Sequence, residues 1–198
     1  MANITRVGFG QVEPNHLSAQ RTAQIYAQLP AAADIEVLEN GQFVKYDYAA
    51  KACNFSGEGE WMMVFNEVKL YDDFWRESYK DFAMIADNYT EGGNISHYGV
   101  GPFPGQMTPR VIKINVGDIW TTNCLGSANV SGKATVDCGL SEEELKGDLA
   151  LNPIFLAPNA SNGYLTKVSD KSGDFVVQVV KFYTMADGQP AVKLMRVK

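Results

Sequence analysis

The apolar pattern changes character within residues 60–87, and this change constrains the fold more than any other feature of the sequence. Residues 59–68, GEWMMVFNEV, form a compact apolar run that predicts a buried strand. In the residues that follow, large apolar side chains recur at helical spacing: Tyr71, Phe74, Trp75, Tyr79, Phe82 and Ile85. Because such a stripe is typical of a helix face packed in a core, we expect a helix over 71–86 docked on a β framework.

Short β-rich runs separated by turn residues make up most of the remaining chain. Pairs of residues that favour turns stand between such runs at three places: Asn40-Gly41, Gly117-Asp118 and Asp187-Gly188. The first pair predicts a hairpin, and the last predicts a long C-terminal hairpin. The spacing predicts a mainly β fold, either a β-barrel or a β-sandwich, with one docked amphipathic helix and an N-terminal arm.

Two local patterns refine this prediction. Over residues 43–48 both alternating sets contain apolar side chains, so the strand is expected to be covered on both faces. Residues 141–148 begin with a serine that has a glutamate three positions later, Ser141 and Glu144. This is the capping-box spacing, and it predicts a helix of one or two turns.

Residues 1–34 have a different composition from residues 35–198, which we expect to form the β-rich globular domain. Large apolar residues occur here singly among Gln, Asn, Ala and Gly: Ile4, Val7, Phe9, Ile25, Tyr26 and Leu29. Residues 18–21 have the pattern of a short capped helix. Since the apolar residues are too few for an independent core and too many for a free tail, we expect an arm whose apolar residues bind a neighbouring chain.

Charge and cysteine content exclude several classes of protein. The net charge of −6, the pI near 4.9 and the absence of a basic run argue against a nucleic-acid-binding protein. No apolar segment approaches the roughly 20 residues that span a membrane, and the N-terminus lacks signal-peptide features. Cys53, Cys124 and Cys138 form no CxxC pair. They are therefore expected to be buried reduced thiols of a protein made in the cytoplasm.

Motifs of catalysis are not found in the sequence. There is no GxSxG, P-loop, dinucleotide-binding or HExxH pattern, and two histidines cannot form a three-histidine metal site. A nucleophile–base pair of Cys53 or Cys138 with His97 has no support in the spacing. We therefore expect no enzymatic activity, no catalytic residues, no cofactor and no metal.

The Gly- and Pro-rich residues 88–110 lack any periodic pattern over more than the usual length of a loop. A segment of this kind is typically functional or part of an interface. We therefore expect His97, Tyr98 and Phe103 to contact a partner.

The order of several segments resembles that of tailed-phage capsid decoration proteins, also called auxiliary or cement proteins. The likeness comprises a C-terminal β hairpin and three segments: ENGQFVKYD (39–47), GEWMMVFNEVKLYDDFWRESYKDFAM (59–84) and PRVIKINVGDIWTTN (109–123). The resemblance implies a β-rich virion protein that binds the major capsid protein and forms a homo-oligomer or contacts copies of itself in the lattice, without enzymatic activity or cofactor. It also implies no nucleic-acid or membrane partner.

Two other functions remain open from the sequence. One is a tail, neck or head-fibre component of the same kind of particle. The other is a glycan-binding β-sandwich in which Trp61, Trp75 or Trp120 stacks on a sugar, although burial is the more usual place for tryptophans within periodic segments.

Overall fold

The fold is mainly β, as the sequence predicts. The computed structural model describes residues 4, 6, 8–66, 83–85, 107–126 and 138–198. Over these residues the chain forms thirteen strands and two short helices, α1 (Ala19–Thr22) and α2 (Glu142–Lys146). The strands form open sheets with separate edges, so the architecture is a sandwich and not a closed barrel.

The larger sheet has six strands, and every neighbouring pair is antiparallel. In spatial order it contains β1 (Val12–His16), β9 (Ile119–Thr122), β13 (Pro190–Arg196), β12 (Val177–Thr184), β10 (Phe155–Pro158) and β11 (Leu165–Val168). Strands β12 and β13 form the long C-terminal hairpin that the sequence predicts. Its turn contains Gly188 at φ +83, a conformation that glycine adopts without strain.

The second sheet has five strands, again all antiparallel. Its spatial order is β2 (Ile25–Tyr26), β8 (Val111–Lys113), β6 (Trp61–Val64), β4 (Phe43–Asp47) and β5 (Ala52–Asn54). A separate two-stranded sheet pairs β3 (Val37–Glu39) with β7 (Ala83–Ile85).

Strand β4 contributes buried side chains to both faces of the five-stranded sheet, as predicted for residues 43–48, whereas Tyr48 just beyond its end is exposed. Phe43 and Met63 belong to a core cluster that also contains Trp120 and Leu194 of the six-stranded sheet. The next residue on β4, Val44, belongs to a second cluster on the other face. Successive residues of a strand point to opposite faces, so one short strand contributes to both cores.

The described part of residues 1–34 does not form a separate arm, and this prediction needs correction. Strand β1 is an edge strand of the six-stranded sheet, with Val12 opposite Thr122, and β2 is an edge strand of the five-stranded sheet. Leu17 and Ala19 lie in the first core cluster. The segment adds strands to the edges of its own sheets, so its main-chain hydrogen bonds are made within the chain.

Two predicted turns form, but the strands beside them do not pair with each other. Gly41 adopts φ +92 after β3, yet β3 pairs with β7 while β4 pairs with β5 and β6. The hairpin prediction at Asn40-Gly41 is therefore wrong. Likewise Gly117, at φ +91, links β8 to β9, which belong to different sheets. In both cases a turn pair identifies a bend, and the partner of each strand is set by distant segments.

The helix expected over 71–86 lies outside the described residues except for its last part. There the prediction is wrong, because Ala83–Ile85 form strand β7. The pairing places Met84 opposite Leu38, and both side chains are buried in the second cluster. Burial beside a strand edge thus overrides the helical spacing at this position.

The short helix α2 begins with the predicted capping box. Ser141 Oγ accepts a hydrogen bond from the Glu144 N–H at 3.3 Å, and Glu144 Oε2 accepts one from the Ser141 N–H at 3.1 Å. Leu145 anchors the helix in the first core cluster. The local pattern alone was sufficient to locate this helix.

Candidate functional site

An open groove of about 730 Å3 lies on the face of the five-stranded sheet that carries the second core cluster. Tyrosine rings and carboxylates form much of its wall. The residues that define it, hereafter the tyrosine groove, are Tyr26, Tyr46, Asp47, Tyr48, Glu58, Glu60 and Lys113. They come from four separate parts of the chain and meet because β2, β8, β6 and β4 are neighbours in the sheet.

The three tyrosines form a continuous row of rings. The centroids of Tyr26 and Tyr46 are 6.2 Å apart with planes at 60°, and those of Tyr46 and Tyr48 are 6.0 Å apart at 84°. Tyr46 is buried, and its hydroxyl accepts a hydrogen bond from the Gln28 N–H at 3.2 Å. Burial raises the pKa of Tyr46, so this ring stays neutral at physiological pH. Tyr48, by contrast, is 68% exposed and offers its ring to a ligand.

Glycines bring the 56–60 segment close to the tyrosines. A Cβ on Gly59 would lie 2.3 Å from the Tyr46 carbonyl oxygen, and one on Gly57 would lie 2.8 Å from Asn54 Oδ1. The Gly57 N–H donates to the same Asn54 oxygen at 2.6 Å. Because only glycine fits at such close approaches, the alternating SGEGE sequence places its two glutamates, Glu58 and Glu60, at the groove.

The carboxylates of the tyrosine groove differ in how they are engaged. The Ala50 N–H donates to Asp47 Oδ1 at 2.9 Å, and this hydrogen bond holds the pKa of Asp47 below its usual value. Glu60 pairs with Lys113 at 2.7 Å. Glu58 is exposed and forms no hydrogen bond or ion pair with another described residue. The groove therefore keeps an excess of negative charge beside its aromatic rings.

A second polar cluster is fully enclosed and ties the N-terminus to the sandwich. Arg6 Nη1 donates to Glu39 Oε2 at 2.7 Å, and Tyr164 Oη donates to Glu39 Oε1 at 2.5 Å. The Gly10 N–H also donates to Glu39 Oε2, at 2.6 Å. Burial and the adjacent Glu39 carboxylate raise the pKa of Tyr164 well above its usual value. Since ligands have no access to enclosed groups, we assign this cluster a structural role.

The thiols are buried, as expected from the sequence. Burial raises the pKa of Cys53 and of Cys124 to about 12, so neither is a thiolate at neutral pH. Cys138 is buried as well, and none of the three forms a disulfide. Within the described residues no group of three or more His, Cys, Asp or Glu side chains could hold a metal ion.

The described members of the sequence-predicted partner residues do not form one site. Ile4 and Ile25 pack against the first core cluster, and Tyr26 and Leu29 pack against the second. Phe9 is half-buried. Of these residues only Tyr26 lines the tyrosine groove. Val7, His97, Tyr98 and Phe103 lie outside the described residues.

The two described tryptophans are not part of the groove wall. Trp120 is completely buried in the first core cluster, which excludes it as a platform for a sugar. Trp61 is half-buried, and the Lys45 ammonium lies 4.9 Å from its ring centroid. Trp75 lies outside the described residues.

Sequence reasoning missed Tyr46, Tyr48 and Glu58 as candidate site residues. Their signal was the alternation of two tyrosines on one face of the 43–48 strand, together with the Gly-x-Gly segment ahead of β6. Both patterns are also typical of an ordinary strand and an ordinary turn, and the sequence alone does not show that these two segments meet.

Comparison with known protein families, curated proteins and solved structures finds no match to this chain. Of the helices within the described residues, none is long and apolar enough to cross a membrane.

Proposed function

We propose that this chain is a structural virion protein: a capsid decoration protein that binds the major capsid protein and contacts copies of itself in the lattice. It is made in the host cytoplasm and resides in the virion. The proposal adopts the function implied by the sequence resemblance to tailed-phage decoration proteins and adds a docking surface, the tyrosine groove.

The observation that carries the proposal is the open groove on a rigid sheet. Tyr48 exposes most of its surface, although it adjoins the buried Tyr46 and is held by the β4–β5 hairpin. A large exposed ring on a fixed backbone loses little conformational freedom on binding, which is why tyrosine is enriched at the centres of interfaces. The groove therefore has the properties expected of a docking surface.

A fixed docking surface suits a protein that binds many equivalent positions of a capsid lattice. A decoration protein makes the same contact at every equivalent position of a symmetric lattice. Where one copy touches several capsid subunits, weak individual contacts add through multivalency. The sandwich supplies the necessary rigidity, because both faces of its five-stranded sheet are packed.

A glycan-binding module is the second candidate function, and the same groove favours it. Exposed aromatic rings beside carboxylates are a common means of binding sugars, through ring stacking and hydrogen bonds to hydroxyl groups. In this alternative Tyr48 replaces the tryptophans as the stacking residue.

Cosedimentation tests the proposed function. The chain is co-produced with the major capsid protein encoded in the same genome, and assembled particles are separated on a density gradient. We expect the chain to sediment with the particles at a fixed ratio to the major capsid protein, and not with capsids of an unrelated phage. A chain that stays at the top of the gradient in both cases would refute the proposal.

A further inference from the structure

The tyrosine groove combines exposed aromatic surface with excess negative charge, and this combination identifies the chemistry of its ligand. We propose that the groove binds a positively charged side chain, lysine or arginine, carried by an extended segment of the partner protein. The inference rests on the proposed function for the identity of that partner and adds the chemical group that is recognised.

The arrangement of the rings favours a compact cation. Cations bind over the faces of aromatic rings within about 6 Å of the centroid. The planes of Tyr26, Tyr46 and Tyr48 differ by 60° and 84° between neighbours, so they form an angled wall and not one flat platform. A flat sugar face needs a platform, whereas an ammonium or guanidinium group fits against an angled wall.

The same molecule uses this contact elsewhere on its surface. The Lys45 ammonium lies 4.9 Å from the Trp61 ring centroid, and the Lys171 ammonium lies 4.7 Å from that of Phe155. In the tyrosine groove no described lysine or arginine takes the corresponding place over a tyrosine ring. A cation from a partner chain would supply it.

Charge complementarity selects the same ligand. Among the described residues, three carboxylates line the groove, those of Asp47, Glu58 and Glu60, against one ammonium, that of Lys113. Lys113 is paired with Glu60, and the described partners of Asp47 are uncharged groups, among them the Ala50 N–H and Asn54 Nδ2. Two negative charges are thus left for a ligand. An anionic segment would be repelled, and a neutral one would leave these charges without partners.

A peptide titration on the full-length protein tests the inference without any capsid. The probe is acetyl-Gly-Arg-Gly-amide, and its matched control contains citrulline, which has nearly the same shape but no charge. Tyrosine ring resonances are followed by NMR. We expect saturable binding of the arginine peptide with a Kd on the order of 1 mM, at least about tenfold weaker binding of the citrulline peptide, and weakening by added salt.

Variants then locate the binding site. Tyr48→Ala and Glu58→Gln alter exposed side chains and should leave the fold intact while weakening arginine-peptide binding about fivefold or more. Glu143→Gln removes the same charge from exposed helix α2 and should leave binding unchanged.

Three results would overturn the inference: no saturable binding, equal binding of the arginine and citrulline peptides, or equal loss in Glu58→Gln and Glu143→Gln. Saturable binding of an oligosaccharide, but not of the arginine peptide, would also overturn it and would favour the glycan-binding alternative. Because no capsid is present, failure here leaves cosedimentation as a separate test of the proposed function.

Discussion

Arg6 Nη1 lies 2.7 Å from Glu39 Oε2, and both side chains are only 2% exposed. The pair joins the N-terminal residues to the end of β3, thirty-three positions later in the chain. A second guanidinium nitrogen, Nη2, donates to the Gly126 carbonyl at 3.0 Å. The N-terminus is thus fixed to the sandwich by buried, charge-assisted hydrogen bonds.

Removing one partner of this pair should be strongly destabilising. Glu39→Ala leaves the Arg6 guanidinium buried without its counter-charge, and such changes cost about 3–5 kcal/mol. Arg6→Ala and Glu39→Ala combined should cost less than the sum of the two single replacements, because no uncompensated charge remains. Urea denaturation of the four proteins measures this coupling. Additive effects below about 1 kcal/mol each would show that the pair contributes little.

Deletion of residues 2–29 should prevent folding. A separate arm, as expected from the sequence, would be dispensable for folding, but this truncation removes β1, α1 and β2 and leaves Glu39 without Arg6. Circular dichroism and amide NMR spectra of the truncated protein test this expectation. As a control, alanine at the exposed Gln20 and Arg21 should leave the spectra native. If the truncated protein kept native β content, residues 2–29 would be a separate arm, as the sequence predicts.

The thiols should be unreactive in the folded protein. The pKa values of Cys53 and Cys124 are raised to about 12 by burial, so almost no thiolate is present at pH 8, and Cys138 is also buried. We expect a thiol reagent such as DTNB to modify none of them under native conditions and all three after unfolding in guanidinium chloride. Rapid modification of any thiol in the folded state would contradict the burial of that residue.

Glu144 should make a stability contribution that depends on pH. Two hydrogen bonds lower the pKa of Glu144 below its ordinary value of 4.5. The larger effect comes from Lys167 Nζ, which donates to the carboxylate at 2.7 Å, and the smaller one from the Ser141 N–H. The pKa of Glu144 is lower in the folded protein than in the unfolded chain. Its ionised carboxylate therefore stabilises the fold at pH values above the unfolded pKa, and this stabilisation is lost as the pH falls through the folded pKa.

Thermal unfolding of the native protein and of Glu144→Gln tests this sign. The difference between their Tm values should be largest near neutral pH and should shrink below about pH 4. Glu143→Gln, one position earlier on the same helix, is the matched control for removal of a carboxylate. A difference that is constant from acid to neutral pH would mean that the carboxylate charge is not responsible.

Local signals in the sequence identified the elements that depend on neighbouring residues. The capping box at Ser141 located α2, the Asp187-Gly188 turn located the C-terminal hairpin, and the apolar residues at 43–48 indicated a strand buried on both faces. The capping box and the hairpin turn depend on residues that are close in sequence, and the third feature follows from the alternation of side chains along its own strand.

Long-range pairing was not available from the sequence. Strand β1 pairs with β9 more than a hundred positions away, and β3 pairs with β7 instead of the adjacent β4. An isolated apolar residue such as Ile25 has the same appearance in an arm as in a short edge strand. The distinction depends on whether a free sheet edge lies within reach, which no local pattern encodes.

The candidate site depends on the same long-range pairing. Tyr26 comes from β2, Tyr46 from β4 and Glu58 from the segment before β6, and only the strand order β2-β8-β6-β4 brings them to one groove. Of the residues that line this groove, the sequence pointed to Tyr26 alone as a partner-binding residue.

A cryo-electron microscopy reconstruction of particles assembled with this chain tests directly whether it decorates a capsid through the tyrosine groove. We expect sandwich-shaped density at every equivalent position of the capsid's outer surface, with Tyr48 at the contact with the major capsid protein. Density confined to the tail or neck, or a capsid lattice without added density, would contradict it.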